Sequence, residues 1–169
     1  YVGEIGLDGS PAHRQSLELQ VTVFERILSE CSRLGGRVMS IHSRGAASRV
    51  LDALDLHPGA GTPILHWFSG TTRELERAVS LGCWFSIGPA MLRSKRGREL
   101  ASAMPLDRVL TETDAPFTRV GDDPLMPWQA YDCLAGLEEV RGIERIELGK
   151  LVADNLRRAV QIEPELSPA

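Results

Sequence analysis

Short runs of nearly continuous hydrophobicity alternate along the chain with segments in which apolar residues recur every three to four positions. The runs are "YVGEIGL" at the start, "RVMSIH" (37–42), "PILHWF" (63–68), "CWFSIG" (83–88) and "RVLTET" (108–113). Such runs are expected where the strands of a parallel sheet are covered on both faces. Between the first two, Val21, Phe24, Leu28 and Cys31 recur at helical spacing before Gly35-Gly36, which predicts a helix and its stop. Thr71, followed three residues later by Glu74, predicts a capping box opening a helix that ends near Gly82. After Pro127 the pattern is helical only, in "WQAYDCLAGLEEV" and "ERIELGKLVADNLRRAV", and residues 162–169 are expected to be a flexible tail. No repeat of fixed length and no low-complexity segment interrupts this order.

Strand followed by helix, five times over, predicts an α/β fold and leaves two architectures, an open doubly wound sheet or a (β/α)₈ barrel. Glu4, His42, His66, and Glu112 with Asp114 fall at or just before the C-terminal ends of four different strands, where barrel enzymes place their chemistry. No G-x-G-x-x-G turn follows any strand, which removes the usual reason for choosing a nucleotide-binding sheet. The barrel is the expected fold.

The stretch "LTETDAPF" (110–117) sets two acids, Glu112 and Asp114, two positions apart at the end of an apolar run. Period-2 alternation would put both on one side of a strand. A shared ion-pair network, a surface edge or part of a metal site could each account for them. A lone histidine at a strand end is commonly a hydrogen-bonded core residue. Two histidines converging with Glu4 and Asp114 from separate strands instead form the mixed nitrogen and oxygen set that binds zinc, manganese or magnesium and activates a water. A buried histidine–carboxylate network with no ion would carry a desolvation cost. His13 and His57 fall in expected loops and read as structural or solvated.

Composition narrows the class without changing this picture. With 169 residues, 43 % hydrophobic and 25 % charged, the chain is long enough for one domain with a core. No apolar stretch approaches the roughly 20 residues needed to cross a bilayer, so no membrane association is expected. Cys31, Cys83 and Cys133 are odd in number, widely spaced and free of any C-x-x-C pair. That speaks against a disulfide framework and a zinc knuckle, and a reducing, cytoplasmic location is expected. A net charge of −4 and pI near 5.6 provide no global basic footprint for nucleic acid. Local charge says more, because "LRSKRGRE" concentrates Arg93, Lys95, Arg96 and Arg98 after the "CWFSIG" strand, and Arg44 follows the His42 strand. These five are candidate contacts to substrate phosphates, against the plainer reading of a solvated helix face. Trp67, alternating with His66, is expected to point toward the helices.

"GEIGLD" (3–8), "IHSR" (41–44), "HWFSG" (66–70), "SIGP" (86–89), "PLDRVLTETDAPF" (105–117) and the closing "NLRR" (155–158) together resemble the TatD family of metal-dependent deoxyribonucleases. The longer phrases "YVGEIGLDGSP", "HWFSG" and "LGCWFSIGPAML" resemble more narrowly the TatD-like nucleases of Qat anti-phage defence systems. The resemblance implies a (β/α)₈ barrel of the metal-dependent hydrolase type carrying two divalent metals. It implies Glu4 as the bridging carboxylate, and His42 and His66 as ligands of one metal. Asp114 would be a ligand that also takes the proton of the attacking water, with Glu112 behind the ligands as an orienting group. It further implies a DNA substrate and protein partners from a defence system.

Departures from the family pattern carry expectations of their own. The family opens with an H-x-H pair on its first strand, and none occurs here. The five strands match the family's fourth to eighth. A barrel of about 250 residues spends roughly 31 per unit, so residues 1–161 are expected to be the C-terminal part of a single barrel domain whose N-terminal units lie elsewhere. Gly9, Ser10 and Pro11 replace aromatic residues, and "TRVGDDPLMP" replaces an Arg-and-Asn segment, which bears on substrate preference. The expected activity is metal-dependent hydrolysis of DNA phosphodiesters. One alternative is an amidohydrolase-type enzyme acting on a small ester or amide. Its usual bridging lysine has no counterpart, since Lys95 and Lys150 are the only lysines and neither ends a strand. The other is a non-catalytic binding subunit of a defence complex, against which the intact ligand set argues.

Overall fold

The computed structural model describes residues 1–160, so the tail expected at 162–169 lies outside the described residues. The five apolar runs become strands β1 (Val2–Gly6), β2 (Arg37–His42), β3 (Gly61–His66), β4 (Trp84–Ile87) and β5 (Val109–Thr111). They pair in parallel in the order β1-β2-β3-β4-β5. Crossover helices α1 (Leu17–Arg33), α2 (Ala47–Leu56), α3 (Thr72–Ser80) and α4 (Lys95–Ala103) join them. Sequential order is that of a barrel wall; a doubly wound sheet would reverse direction at a switch point.

Alternation along the strands separates the two faces. Met39, Ile41, Leu65, Phe85 and Ile87 are fully buried and share one hydrophobic core with Phe24 and Leu28 of α1, Val50 and Leu51 of α2, Leu75 of α3 and Leu100 of α4. Phe68 and Phe85 meet edge to face within it, ring centroids 5.9 Å apart. The intervening positions Ser40, His42, His66 and Ser86 take the opposite face. Helix α3 opens on the expected capping box, with Thr71 Oγ1 accepting from Glu74 N (3.2 Å) and Glu74 Oε2 accepting from Thr71 N (2.6 Å). Trp67 packs against the core, as its alternation with His66 predicts. Strand β3 nevertheless ends at His66 rather than Phe68, because Trp67 turns the chain at φ +37°.

Beyond β5 the chain makes a two-stranded antiparallel hairpin, β6 (Arg119–Val120) with β7 (Asp123–Pro124), anchored by the buried Leu125. A 3₁₀ stretch at Pro127–Asp132 leads into α5 (Cys133–Arg141), and α6 (Arg145–Ala159) follows. The "NLRR" segment lies on α6 and fastens it to the sheet. Asn155, 1 % exposed, donates from Nδ2 to Leu106 O (2.9 Å) and Val109 O (2.8 Å), and its Oδ1 accepts from Arg158 (2.6 Å). Arg158 also lies over the Trp84 ring, 5.5 Å from its centroid. Asn155→Ala leaves the carbonyls of Leu106, in the turn before β5, and Val109, at its start, without this donor, and a loss of about 2 kcal/mol in urea unfolding of the full-length protein is expected. An unchanged midpoint would mean that water serves those carbonyls equally well.

Candidate metal centre

Three neighbouring strands each deliver one donor to the C-terminal end of the sheet. Glu4 comes from β1, His42 ends β2 and His66 ends β3. Gly6, at φ +128°, lets β1 pass close to the end of β2, since a Cβ there would stand 2.1 Å from His42 O. Glu4 Oε1 lies 2.9 Å from His66 Nε2 and 3.3 Å from His42 Nδ1, and those two ring nitrogens are 3.2 Å apart. One donor atom from each of the three residues lies within 4.8 Å of the others, a group able to hold a metal ion. The chemistry of the set fits a divalent cation: imidazole nitrogen and carboxylate oxygen, with Glu4 half-exposed so that one side stays open to water.

A carboxylate backs each imidazole. His66 turns Nδ1 toward Glu112 Oε2 at 3.8 Å and Asp114 Oδ1 at 4.0 Å. His42 turns Nε2 toward Asp8 Oδ2 at 3.4 Å. Such outer partners fix ring orientation and tautomer. Glu112 is held on both oxygens, Oε1 accepting from Trp67 N (2.9 Å) and Oε2 from Ser86 Oγ (2.5 Å). Asp114 contacts the ring nitrogen of His66 that faces away from Glu4, and it stands outside the three-residue donor group.

Glu112 and Asp114 do not reach His66 by strand alternation. Strand β5 stops at Thr111; Glu112 keeps one ladder bond, from its N to Ile87 O (3.1 Å), and Asp114 takes the left-handed conformation at φ +55°. Asp114 O then accepts from Phe117 N and Thr118 N in a tight turn. The backbone turn, rather than the pleat, aims Asp114 at the ring.

Burial sets the charge state of these acids. Desolvation pushes Glu112 up to about 7, against the Ser86 hydrogen bond and His66. Burial, followed by the charge of Glu4, raises Asp114 as well, with His66 and His42 opposing. Asp8 stays below the usual carboxylate range, because hydrogen bonds from Ser10 and the nearby His42 and His13 outweigh the desolvation that burial imposes. An acid whose pKa is higher folded than unfolded binds more protons in the native state, so stability falls as pH rises from the unfolded value through the folded one. Chelator-treated protein is therefore expected to lose on the order of 3 kcal/mol between pH 4.5 and 7 through Glu112. Glu112→Gln should flatten that segment of the stability profile. The same slope in the variant would assign it to other groups.

The basic candidates separate into two sets. The Arg96 guanidinium donates to Gly70 O, in the loop that follows His66. Arg93 and Arg44 are exposed and make no ion pair among the described residues. Arg98 pairs with Glu139 of α5 at 3.0 Å, and Lys95 faces Glu99 at 3.9 Å. Sequence reasoning passed over Asp8 and Ser86, each of which supports a group at the centre. Both sit inside quoted motifs, "GEIGLD" and "SIGP", and that position was the available signal.

Comparison with known proteins identifies a family for the chain. The family model described as TatD related DNase matches residues 1–161. Human "Deoxyribonuclease TATDN3" is 27 % identical over 168 residues, covering 98 % of this chain and 60 % of that protein. The "3'-5' ssDNA/RNA exonuclease TatD" of Erwinia billingiae is 32 % identical over 178 residues, covering 95 % of this chain and 65 % of that protein. The crystal structure of YjjV, a TatD homologue from Escherichia coli K12, overlays with a TM-score of 0.83 at 27 % identity, over 95 % of this chain and 63 % of that one. The chain thus spans about three-fifths of the length of such relatives. A match along residues 1–161, with Glu4, His42 and His66 gathered at one end of the sheet, means that the chain belongs to the TatD-related DNase family.

Proposed function

We propose that the protein carrying this chain hydrolyses DNA phosphodiester bonds with divalent metal ions at the Glu4–His42–His66 centre. The observation that carries this reading is the convergence of one oxygen and two nitrogen donors from three adjacent strands, in a chain whose relatives include named deoxyribonucleases. Glu4, His42 and His66 would hold divalent metal, two ions of Mg²⁺, Mn²⁺ or Zn²⁺ in this reading, which would polarise the scissile phosphate and bring the pKa of an attacking water toward neutrality. Asp114, whose Oδ1 lies 4.0 Å from His66 Nδ1, would accept that water's proton. Glu112 orients His66, and Arg44, Arg93, Lys95, Arg96 and Arg98 position the phosphates. Of these five, Arg44, Arg93 and Arg96 have the stronger case, because Lys95 and Arg98 face glutamates.

The five strands, in this reading, are the fourth to eighth of a closed (β/α)₈ barrel; the sequential sheet order supports it. The narrower assignment, to anti-phage defence beside partner proteins in the cytoplasm, is supported by the phrases "YVGEIGLDGSP" and "LGCWFSIGPAML" and by three free cysteines. Among the described residues, no helix is long and apolar enough to cross a membrane.

The deciding assay follows 3′- and 5′-labelled single-stranded DNA incubated with the full-length protein, with and without Mg²⁺ or Mn²⁺. Metal-dependent shortening supports the proposal, and intact DNA under both conditions overturns it. Changing Arg93, Lys95, Arg96 and Arg98 together to glutamine tests the phosphate contacts. The salt dependence of single-strand binding is expected to flatten by roughly 0.7 in slope for each residue that touches a phosphate. Hydrolysis of a small chromogenic phosphodiester should persist, since such contacts position rather than react. An unchanged slope would return all four to a solvated helix face.

A further inference from the structure

We propose that Gln20 and Asp8 form a clamp that sets the ring of His42, with the Asp8 carboxylate facing Nε2 so that the proton stays on Nε2 and Nδ1 is left bare toward Glu4 and His66. The inference rests on the metal reading of the centre and assigns two positioning residues to it, one of them on a helix outside the donor group.

Gln20, on α1, brackets both backbone groups of Asp8. Its Oε1 accepts from Asp8 N (2.7 Å) and its Nε2 donates to Asp8 O (3.2 Å). The same amide nitrogen reaches His13 O (3.2 Å) and Ser16 Oγ (3.0 Å), so one side chain ties the whole β1–α1 connection to the helix. The other side of that connection is fastened to β2 and the loop after it. Leu7 N donates to His42 O (2.9 Å) and Gly9 N to Arg44 O (2.8 Å). The approach at Gly9 is so close that a Cβ there would stand 2.4 Å from Gly45 O. Asp8 is therefore fixed from its own backbone outward.

Its carboxylate is oriented as well. Ser10 N donates to Oδ1 (2.8 Å), which leaves Oδ2 facing His42 Nε2 at 3.4 Å. An ionised carboxylate only accepts, so its neighbour is stabilised as Nε2–H. The Nδ1 lone pair then points to Glu4 Oε1 (3.3 Å) and His66 Nε2 (3.2 Å), where a cation would need it. His66 is supported separately, by Glu112 and Asp114, so the clamp acts on one imidazole of the two.

The test uses the full-length protein, the variants Asp8→Asn and Gln20→Leu, and Co²⁺ as probe. In metal-free protein above the histidine titration range, long-range ¹H–¹⁵N spectra are expected to show His42 as Nε2–H in the wild type and to lose that preference in both variants. Calorimetric Co²⁺ affinity should fall about 10–100-fold in Asp8→Asn and about tenfold in Gln20→Leu, with a changed visible absorption band of the bound ion. A purely structural role would lower the melting temperature without moving tautomer or band. An unchanged tautomer and affinity in both variants, or in Gln20→Leu alone, overturns the clamp. Glu4→Gln separates the two inferences. Wild-type protein that binds Co²⁺ no better than Glu4→Gln overturns the metal reading, whereas the tautomer measurement on metal-free protein judges the clamp by itself.

Discussion

His66→Ala is expected to cut metal-dependent DNA cleavage by the full-length protein well beyond the roughly 10–100-fold that loss of an outer partner of a metal ligand causes. His66 is the residue through which the centre is connected. Its Nε2 meets Glu4 and His42, and its Nδ1 meets Glu112 and Asp114. Alanine removes a donor and leaves Glu112, already pushed up to about 7 by burial, without the imidazole that faces it at 3.8 Å. Asp114→Asn is the companion experiment. Asparagine tolerates the left-handed backbone that Asp114 adopts at φ +55°, so geometry survives while the proton acceptor is lost. Both variants should still unfold cooperatively, because the core on the other face of the sheet is untouched. Near-normal turnover in either one would remove the residue from the mechanism.

The second large effect concerns the 169-residue chain expressed by itself, which is expected to self-associate and to melt without a sharp transition. Among the described residues, strand β1 pairs only with β2, and β5 only with β4, so two sheet edges remain open there. Open parallel edges present unpaired backbone donors and acceptors to any other chain. The face that carries Ser40, His42 and His66 also has no helical layer among the described residues, since the helices share the opposite core. Sedimentation velocity at several concentrations checks the expectation. A monomer with a reversible, cooperative melt would show that the open sheet is self-sufficient.

The sequence revealed the sheet well and the local turns poorly, for physical reasons. Near-continuous apolar runs marked all five strands, because burial against helices leaves a compositional trace that survives without knowledge of neighbours. Glu4, His42 and His66 were legible as a group since strand ends bring distant residues together. The end of β5 was not legible. Period-2 reasoning extended the strand through Asp114, whereas one residue in the left-handed region aims that side chain. The hairpin at Arg119–Pro124 has strands of two residues, too short for any period to register. Asp8 was hidden by its setting, because Asp before Gly-Ser-Pro reads as ordinary turn chemistry. The pairing of Arg98 with Glu139 joins α4 to α5, a contact that local charge patterning cannot foresee.

The unequal spacing of the donors has a consequence for insertions and deletions. Glu4 and His66 are 62 residues apart and His42 and His66 only 24, yet all three meet, because each hangs from its own strand. Strands β2 and β3 pair in continuous register, and β1 joins β2 through an irregularity between Val2 and Ile5 that carries Glu4. Residues added to or removed from the C-terminal ends of α1 or α2, away from the Gln20 contacts with Asp8, change the length of an arch without shifting either foot. A single residue lost inside β2 or β3 would turn its histidine to the wrong face. Length variation should therefore be tolerated in the helical arches of this centre and excluded from the strands between them, so that no fixed count of residues between ligands can serve as its signature.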